Sequence, residues 1–565
     1  MTKYIFPLLA AATAFAAAPT TAIKVDQAGY LPNAPKVAIV VAASPADEFT
    51  VRQAPNGTVV FKGKLAAAMN DPDSGDQVQA ADFSKFTKPG RYYIEVSGTG
   101  QSWEFAIGAD VYTRAWYLAM RSYYGQRCGT AVDLGPEFPG FKHEACHLEG
   151  AFHASSGKSG PYDSKGGWHD AGDYGRYVVN SGISTGTLLW TWEFYGPKIA
   201  KTSLRIPESG NGTPDILNEI RWNLEWMLRM QDADGGVWHK QTSERFCGFI
   251  MPEADKLVSY VIGNGKEPYK NSCATGDFAA VMAIAARVYK PFDASFAVRC
   301  LKAAEQAWAW LERYPEVTFN SPPGVSTGGY GDSNCGDEHL WAAAELFRTT
   351  GAAPYQSYFV DHYAAFRKSL GPASPQAWAD VGNLALWTYA LAKNGYAAAV
   401  GAIRQDTVSA AEQIVTRSAA NPYRISLTSH DYIWGSNGVV ANYAMQLLVA
   451  NALQPNQRYF DAAMDNLHYL LGRNTFSLSY VTQVGANPFR HPHHRPSGAD
   501  NNPEPWPGLL SGGPNRGRQD AAMQKLKADT PPAKMYVDEE ASYSSNETAI
   551  NWNAPLVFVL AAGLK

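Results

Sequence analysis

Two aspartates lie three residues apart in a glycine-rich, aromatic stretch that reads GGWHDAGDYGRY over 166–177. Asp170 and Asp173 could activate a water molecule, bind a metal ion or cap a turn before a helix. Hydrolysis of a glycosidic bond needs one carboxyl that donates a proton to the leaving oxygen and one that activates water or attacks the sugar. The pair is therefore a candidate for the water-activating group, and a proton donor has to be sought elsewhere.

Glu547 is the candidate for that proton donor. It precedes an apolar segment near the C-terminus, with Tyr536, Tyr543 and Trp552 close to it in the sequence. Aromatic, partly dry surroundings disfavour the charged carboxylate, raise its pKa and suit a general acid. The alternative is an ordinary glutamate in the first turn of a helix, where a negative charge favours the helix dipole.

The loop before the aspartates contains four potential metal ligands. They are Cys128, Cys146, His147 and His169. Two thiolates and two imidazoles are typical of a tetrahedral structural Zn²⁺ site, which leaves no open position for substrate. The alternative is two buried cysteines and two ordinary loop histidines. Because His169 adjoins Asp170, a metal here would fix the backbone that carries the two aspartates.

A third stretch, VTQVGANPFRHPHHRPSGAD, brings three histidines and an arginine together. They are His491, His493, His494 and Arg495. Such a cluster could bind a metal, but no nearby cysteine or carboxylate completes a site before Asp500. We therefore interpret these side chains as hydrogen-bond donors for sugar hydroxyls or for a carboxylate.

The elements that must position these groups change type along the chain. From Ile23 to Ile107, short β runs separated by turn residues predict a small β-sandwich. From Tyr112 onward, apolar residues recur at helical spacing and predict about twelve helices. The predicted segments are 111–125, 174–195, 214–232, 274–290, 297–313, 337–351, 354–370, 376–394, 400–418, 434–453, 456–473 and 547–563.

Paired helices separated by long loops favour an α/α toroid with six inner and six outer helices. Long loops in a compact domain are usually functional. The longest here, 126–173, 233–273 and 474–546, contain nearly all the unusual residues.

The N-terminal residues predict export. Residues 1–22, MTKYIFPLLAAATAFAAAPTTA, combine a lysine, an apolar stretch and small residues, as in a secretory signal peptide cleaved near Ala18 to Ala22. No later segment reaches the roughly 18 uninterrupted apolar residues of a membrane span. The net charge of -4 gives no basic field for nucleic acid. We expect a periplasmic or secreted monomer that binds neither membrane nor nucleic acid. Among its six cysteines, Cys247–Cys273 is a possible disulfide.

Three of these stretches together resemble glycoside hydrolase family 9, in the subgroup with an N-terminal immunoglobulin-like domain. DAGDYGRY at 170–177 is similar to the base-bearing motif of the family. VGANPFRHPHHR at 484–495 and YVDEEASYSSNETAINWNA at 536–554 are similar to its other two signatures. The resemblance covers essentially the whole chain after the signal segment.

The resemblance implies a fold and a set of roles. The fold is mainly α, with an immunoglobulin-like sandwich at 23–107 followed by an (α/α)6 barrel at 108–565. Asp173 would be the general base, Asp170 would orient the attacking water, and Glu547 would donate the proton, with inversion of the anomeric carbon. The residues expected to contact sugar are His493, Arg495, Trp434 and Tyr543. A structural zinc would bind the four residues named above.

The resemblance also suggests calcium in YGDSNCGDEHLWAAAEL at 330–346. Asp337 and Glu338 could supply hard oxygen ligands, with Asp332 or Ser333 beside them. The same acids could instead cap the helix that follows.

The expected substrate is a β-1,4-linked glucan of the cellulose or mixed-linkage type, cleaved by an endoglucanase. An exo-acting β-glucosidase, cellobiohydrolase or exo-β-glucosaminidase is the alternative, and the 233–273 loop could block the cleft in that case. We see no carbohydrate-binding module after the predicted barrel, since the chain ends at Lys565 just past the last predicted helix. We therefore expect soluble or short substrates rather than crystalline cellulose. Two other classes of protein are alternatives, a non-catalytic sugar-binding protein and a zinc peptidase or amidase. The first would lack a catalytic carboxyl, and the second would need an open zinc site.

Overall fold

The structure, a computed structural model, describes residues 18–41, 44–373 and 375–565. Most of the predicted signal peptide therefore lies outside the described residues. In the described part, no helix is long and apolar enough to cross a membrane.

The N-terminal part is a β-sandwich. Its strands pair as β1-β2-β6-β5 in one sheet and β4-β3-β7-β8 in the other, with β9 also on β7. Neighbouring strands are antiparallel, as in the register Thr50↔Glu95 between β3 and β7. The strands are Ile23–Lys24 (β1), Val37–Val41 (β2), Glu48–Gln53 (β3), Thr58–Lys64 (β4), Met69–Asn70 (β5), Gln77–Asp82 (β6), Gly90–Val96 (β7), Gly100–Gln101 (β8) and Phe105–Ile107 (β9).

Strand β2 shows how the sandwich is joined to the helices. Successive side chains of a strand point to opposite faces. Ala38 and Val40 lie in the core of the sandwich, whereas Val37 and Ile39 belong to the core of the helical part. Because both faces are buried, the strand is a continuous apolar run rather than an alternating one.

Polar contacts reinforce this interface. The Asp26 carboxylate lies 2.7 Å from His468 Nδ1, and both side chains are buried. The Gln27 amide donates to the Ser477 carbonyl and accepts from the N–H groups of two residues in the 474–546 loop. The sandwich is therefore packed firmly against the part of the chain that contains the third sequence motif.

The rest of the chain is helical, and all twelve predicted segments form helices. Two further helices of four and five residues lie in the last long loop. The helices are Thr113–Gly125 (α1), Val178–Ile199 (α2), Asp215–Arg229 (α3), Ser272–Tyr289 (α4), Ala294–Leu311 (α5), Gly336–Thr350 (α6), Ala353–Phe366 (α7), Gly382–Leu391 (α8), Ala397–Ala420 (α9), Ser436–Leu453 (α10), Gln457–Leu470 (α11), Arg495–Ala499 (α12), Tyr543–Asn546 (α13) and Ile550–Ala562 (α14).

Six of the helices form a closed inner ring. The order of contacts is α2, α4, α6, α8, α10 and α14, and α14 packs back on α2. The helices α1, α3, α5, α7, α9 and α11 pack outside them. Inner helices contact neighbours on every side, so they are apolar all round, as in INWNAPLVFVLAA of α14. The predicted (α/α)6 barrel after an immunoglobulin-like sandwich is confirmed.

Two of the long loops share one small sheet. Its order is β13-β12-β16-β15-β14, which joins the 126–173 loop to the 233–273 loop. A separate hairpin is formed by β10 and β11. These strands are Val132–Asp133 (β10), Lys142–His143 (β11), Glu149–Phe152 (β12), Pro161–Asp163 (β13), Arg176–Tyr177 (β14), Lys240–Thr242 (β15) and Ser259–Ile262 (β16).

One disulfide bond is formed within the described residues, between Cys273 and Cys335. It joins the first turn of α4 to the residue before α6. The suggested Cys247–Cys273 bridge is wrong, because Cys247 is a free thiol. The two bonded cysteines are 62 residues apart and become neighbours only because α4 and α6 are adjacent in the inner ring.

Candidate active site

A cleft of about 660 Å³ contains all three candidate carboxyl groups. Asp170 and Asp173 reach it from the loop before α2, and Glu547 reaches it from the segment before α14. Most of the other side chains in its wall are aromatic. They are Tyr177, Phe246, Tyr330, Trp378, Trp434, Tyr543 and Trp552.

Asp170 is buried and held by two donors. The amide of Asn180 donates to Oδ1 and the hydroxyl of Tyr330 donates to Oδ2, each at 2.6 Å. Burial, followed by the negative charge of Asp173, raises the pKa of Asp170 to about 8, although both hydrogen bonds act in the opposite direction. Because both oxygens are engaged, this side chain has a fixed orientation in the cleft wall.

Asp173 accepts hydrogen bonds on only one of its two oxygens among the described residues, unlike Asp170. Its Oδ2 accepts hydrogen bonds from the Gly175 N–H at 2.9 Å and the Tyr177 hydroxyl at 3.4 Å. Both bonds are to one oxygen, so among the described residues Oδ1 remains able to accept a hydrogen bond from water. The loop also packs closely on its surroundings. A Cβ on Gly172 would lie 2.0 Å from the carbonyl oxygen of His493, so only glycine fits there.

Glu547 does not lie in the first turn of a helix. It is an extended residue between α13 and α14, and its backbone pairs with His493. Burial raises the pKa of Glu547 well above its usual range, and the charges of Asp173 and Asp170 raise it further. The helix-dipole alternative is therefore wrong for this residue, and the carboxyl tends to hold its proton, as a general acid must.

Backbone hydrogen bonds connect the two sides of the site. The N–H of Ile550, the first residue of α14, donates to the Asp170 carbonyl at 2.9 Å. The guanidinium and the N–H of Arg495 both donate to the Gly172 carbonyl. Hydrogen bonds thus join the aspartate loop to the start of α14 and to Arg495.

The four residues predicted to contact sugar all line the cleft. The guanidinium of Arg495 donates hydrogen bonds to the carbonyls of Gly172 and Cys247. The Nδ1 of His493 lies 2.7 Å from a backbone carbonyl, so it carries the proton and leaves Nε2 as an acceptor. Trp434 and Tyr543 are 40% and 38% exposed, and their rings lie 5.4 Å apart. Large exposed aromatic faces in a cleft are suited to stacking on sugar rings.

Sequence reasoning missed Tyr330, Tyr177 and Asn180, which hold the aspartates. Tyr177 is the last residue of the motif at 170–177 and could have been included. Tyr330 follows two glycines in a loop 160 residues from Asp170, and only the tertiary structure brings them together.

The four predicted zinc ligands converge. Their donor atoms lie within 4.8 Å of one another. Cys128 Sγ is 3.8 Å from His147 Nδ1, and Cys146 Sγ is 3.7 Å from His169 Nε2. Ligands at the usual zinc distances on a tetrahedron would be separated by roughly 3.5 Å. The Asp255 carboxylate accepts from the other nitrogen of His147 at 3.3 Å, as carboxylates beside metal ligands do. The residues fit a closed tetrahedral metal site.

His494 belongs to neither of the potential metal-binding groups found among the described residues. It is buried and bonded to Gln126 and Ser497, and burial lowers its pKa to about 3. Gln126 in turn donates to the backbone carbonyls of His169 and Ala171. A neutral His494 therefore supports the aspartate loop through one glutamine.

The predicted calcium ligands lie beside unpaired buried carboxyls. Asp337 and Glu338 form the first turn of α6, and the Val381 N–H donates to Asp337 at 2.8 Å. Among the residues that the structure describes, neither oxygen of Glu338 nor of Asp277 has a hydrogen-bond partner, and Oδ2 of Asp332 is also unpaired. Burial, followed by neighbouring negative charges, raises the pKa of Asp277 and Glu338. Buried carboxylates without donors are costly, and a hard cation would satisfy them.

The fold and the site together define a class of protein. An (α/α)6 barrel places three carboxyl groups in one aromatic-walled cleft, and paired carboxyls are what hydrolysis of a glycosidic bond requires. The protein is a glycoside hydrolase. Residues 112–560 match the family described as "Glycosyl hydrolase family 9", and residues 18–101 match "Cellulase N-terminal ig-like domain". The chain belongs to glycosyl hydrolase family 9, and the resemblance inferred from the motifs is confirmed.

Similar proteins cover nearly the whole chain. An "Endoglucanase D" of Acetivibrio thermocellus is 38% identical over 95% of this chain and 83% of its own length. A "Cellodextrinase" of Butyrivibrio fibrisolvens is 35% identical over 96% of this chain and 100% of its own. The crystal structure of a "Zn-binding triple mutant of GH family 9 endoglucanase J30" has a TM-score of 0.89 at 36% identity, covering 95% of this chain and 99% of the other.

Proposed function

We propose that this protein is an inverting endoglucanase that hydrolyses β-1,4-glucosidic bonds in soluble β-glucans and their oligosaccharides. The observation that carries the proposal is the placement of Asp170, Asp173 and Glu547 in one aromatic cleft. The names of the similar endoglucanase and cellodextrinase support a β-1,4-glucan as substrate.

The proposed reaction is a single displacement at the anomeric carbon. Asp173 takes a proton from a water molecule while the water oxygen bonds to the anomeric carbon. The glycosidic C–O bond breaks at the same time, and Glu547 gives its proton to the leaving oxygen. Asp170 holds the water in line with the bond that breaks. One water is consumed, and the new hydroxyl lies on the face opposite the leaving group.

Sugar binding is assigned to the aromatic walls and to the two basic side chains. Trp378, Trp434 and Tyr543 offer ring faces for the apolar faces of glucose units. His493 and Arg495 are proposed to lie beside the bond that is cleaved.

Two metals are proposed as structural components. Zn²⁺ would bind the cluster of Cys128, Cys146, His147 and His169, and Ca²⁺ would bind Asp337, Glu338 and the neighbouring Asp277 and Asp332. With four protein ligands zinc has no open position, so its contribution is to the folding of the loop and not to the reaction.

The site of action is also a proposal. The sequence of residues 1–22 supports export to the periplasm or the medium, and we propose that the protein acts there as a monomer.

Endo and exo action differ in the first products. We expect reducing-end-labelled cellohexaose to give several labelled fragments at once, since an open cleft binds the chain in several registers. The measurement is chromatography of the earliest products, with Asp173→Asn protein as the blank for contaminating glycosidases. Release of one kind of product from one chain end would contradict endo action and favour the exo alternative. A cellodextrinase is among the similar proteins, which is in keeping with that alternative.

A further inference from the structure

A buried lysine lies behind the aspartate side of the cleft. Lys240, on β15, is fully buried. Its ammonium donates to the Gly328 carbonyl at 2.8 Å and to the carbonyl and hydroxyl of Thr327 at 3.3 and 3.2 Å. It forms no ion pair with any carboxylate of the described residues. A buried ammonium is costly unless its hydrogen bonds are made, so the three acceptors on Thr327 and Gly328 are held firmly.

The preceding residue binds the next carbonyl of the same loop. His239 Nε2 lies 2.7 Å from the Gly329 carbonyl oxygen, and the Asn271 amide donates to Nδ1 at 3.1 Å. Nε2 therefore carries the proton and donates. Burial lowers the pKa of His239 to about 3, so the ring stays neutral, and it stacks on Phe319 at 3.6 Å.

The loop held in this way ends at a strained tyrosine that touches the site. Tyr330 has a backbone φ of +46°, which is rare for a residue other than glycine. Its hydroxyl donates to Asp170 at 2.6 Å. Backbone strain at a functional site persists only where surrounding contacts enforce it. Lys240 and His239 supply such contacts to the residues just before Tyr330.

The same loop also touches the second aspartate through Tyr177. The rings of Tyr177 and Tyr330 lie 4.6 Å apart, and the Tyr177 hydroxyl donates to Asp173. A Cβ on Gly328 would lie 3.1 Å from Tyr177, so the loop packs directly on that ring. Displacement of Gly328 would therefore move the donors of both aspartates.

We propose that Lys240 and His239 are positioning residues for hydrolysis, which hold the 327–329 carbonyls so that Tyr330 and Tyr177 keep the two aspartates aligned on the attacking water. The inference rests on the proposed function. Burial lowers the pKa of Lys240 to about 8, and the negative charge of Asp173 opposes that lowering.

The test compares Lys240→Met with a matched control. Lys36→Met makes the same change at another fully buried lysine, whose ammonium donates to the carbonyls of Pro32 and Ala34 in the sandwich. Each variant is assayed on cellopentaose and on dinitrophenyl cellobioside, whose aglycone leaves without protonation. We expect Lys240→Met to lower kcat by about 10- to 100-fold, the range that a misplacement of about 1 Å produces.

Four features should distinguish positioning from mere stability. The loss in kcat should be equal on both substrates, because each needs an activated water. KM should change little, and Lys240→Arg should recover part of kcat by keeping a donor and a charge. Lys36→Met should keep the wild-type kcat. If Lys240→Met does not fold, Lys240→Arg and His239→Phe are measured instead, with a reduced kcat expected for His239→Phe.

The inference would be overturned if Lys240→Met or His239→Phe folds and has the same kcat as the Lys36→Met control. A loss confined to cellopentaose would also overturn it, because that pattern indicates an effect on proton donation. Failure of the proposed function is distinguishable, since wild-type protein would then be inactive or Asp173→Asn protein active.

Discussion

Asp173→Asn is expected to abolish turnover on every glycoside, whatever its leaving group. An amide cannot take a proton from water, and the structure leaves Asp173 with a carboxylate oxygen free for that water among the described residues. General base assistance is worth about 10²–10⁴-fold, so the loss of activity should be of at least this order. The measurement is kcat on cellopentaose and on dinitrophenyl cellobioside.

Glu547→Gln should behave differently on the same two substrates. It should cripple hydrolysis of cellopentaose but spare dinitrophenyl cellobioside, whose aglycone needs no proton. Because the pKa of Glu547 is raised, the wild type should keep this acid protonated to higher pH than an ordinary glutamate would. Wild-type activity on cellopentaose should fall as pH rises through the pKa of Glu547, because the acid then loses its proton. Glu547→Gln has no proton to lose at this position, so its activity on dinitrophenyl cellobioside should not show the decline that Glu547 causes.

A control tests whether the position or the substitution matters. Glu539→Gln makes the same change in the same segment, at a side chain that is 45% exposed and paired with Lys525. It should keep wild-type activity on both substrates. Equal losses for Asp173→Asn and Glu547→Gln on the activated substrate would show that the roles of base and acid are wrongly assigned.

Cys146→Ser is expected to remove the zinc and to lower the melting temperature strongly. Structural zinc sites contribute about 10–16 kcal/mol in small peptides, comparable with the whole net stability of about 5–15 kcal/mol of a typical domain. Metal analysis should find about one Zn²⁺ per chain in the wild type. Activity should fall with the loss of folded protein, because a zinc held by four protein ligands would have no open position for substrate.

Cys300→Ser is the matched control for that experiment. Cys300 is also a buried free thiol, but it lies on the outer helix α5 away from the metal cluster. It should keep the zinc. Metal-free protein with an undiminished melting temperature, or instant loss of turnover on chelation while the protein remains folded, would contradict a structural zinc.

Patterns that repeat along the chain were predictable from the sequence. Helical spacing of apolar residues predicted all twelve long helices, because a buried helix face must recur every three to four residues. The bounds of the helices differ from the predicted ones. The segment predicted from residue 174 becomes a helix only at Val178, since Arg176 and Tyr177 pair with β15 as a strand.

Contacts between distant parts of the chain were not predictable. Asp277 joins the acids of the predicted calcium site from α4, and Cys273 bonds Cys335 across the same pair of helices. Lys240 is an ordinary lysine in the sequence and becomes notable only because the loop before Tyr330 folds over it. No local pattern encodes such contacts, because they arise from the closure of the barrel.

The central claim is that Asp173 and Glu547 act from opposite faces of the sugar in one inverting step. The measurement that tests it most directly is proton NMR of the first-formed reducing sugar from a β-linked cello-oligosaccharide, recorded before mutarotation. A single displacement predicts that the α-anomer appears first. Appearance of the β-anomer first would mean a double displacement, and it would contradict the assignment of Asp173 as the base that activates water.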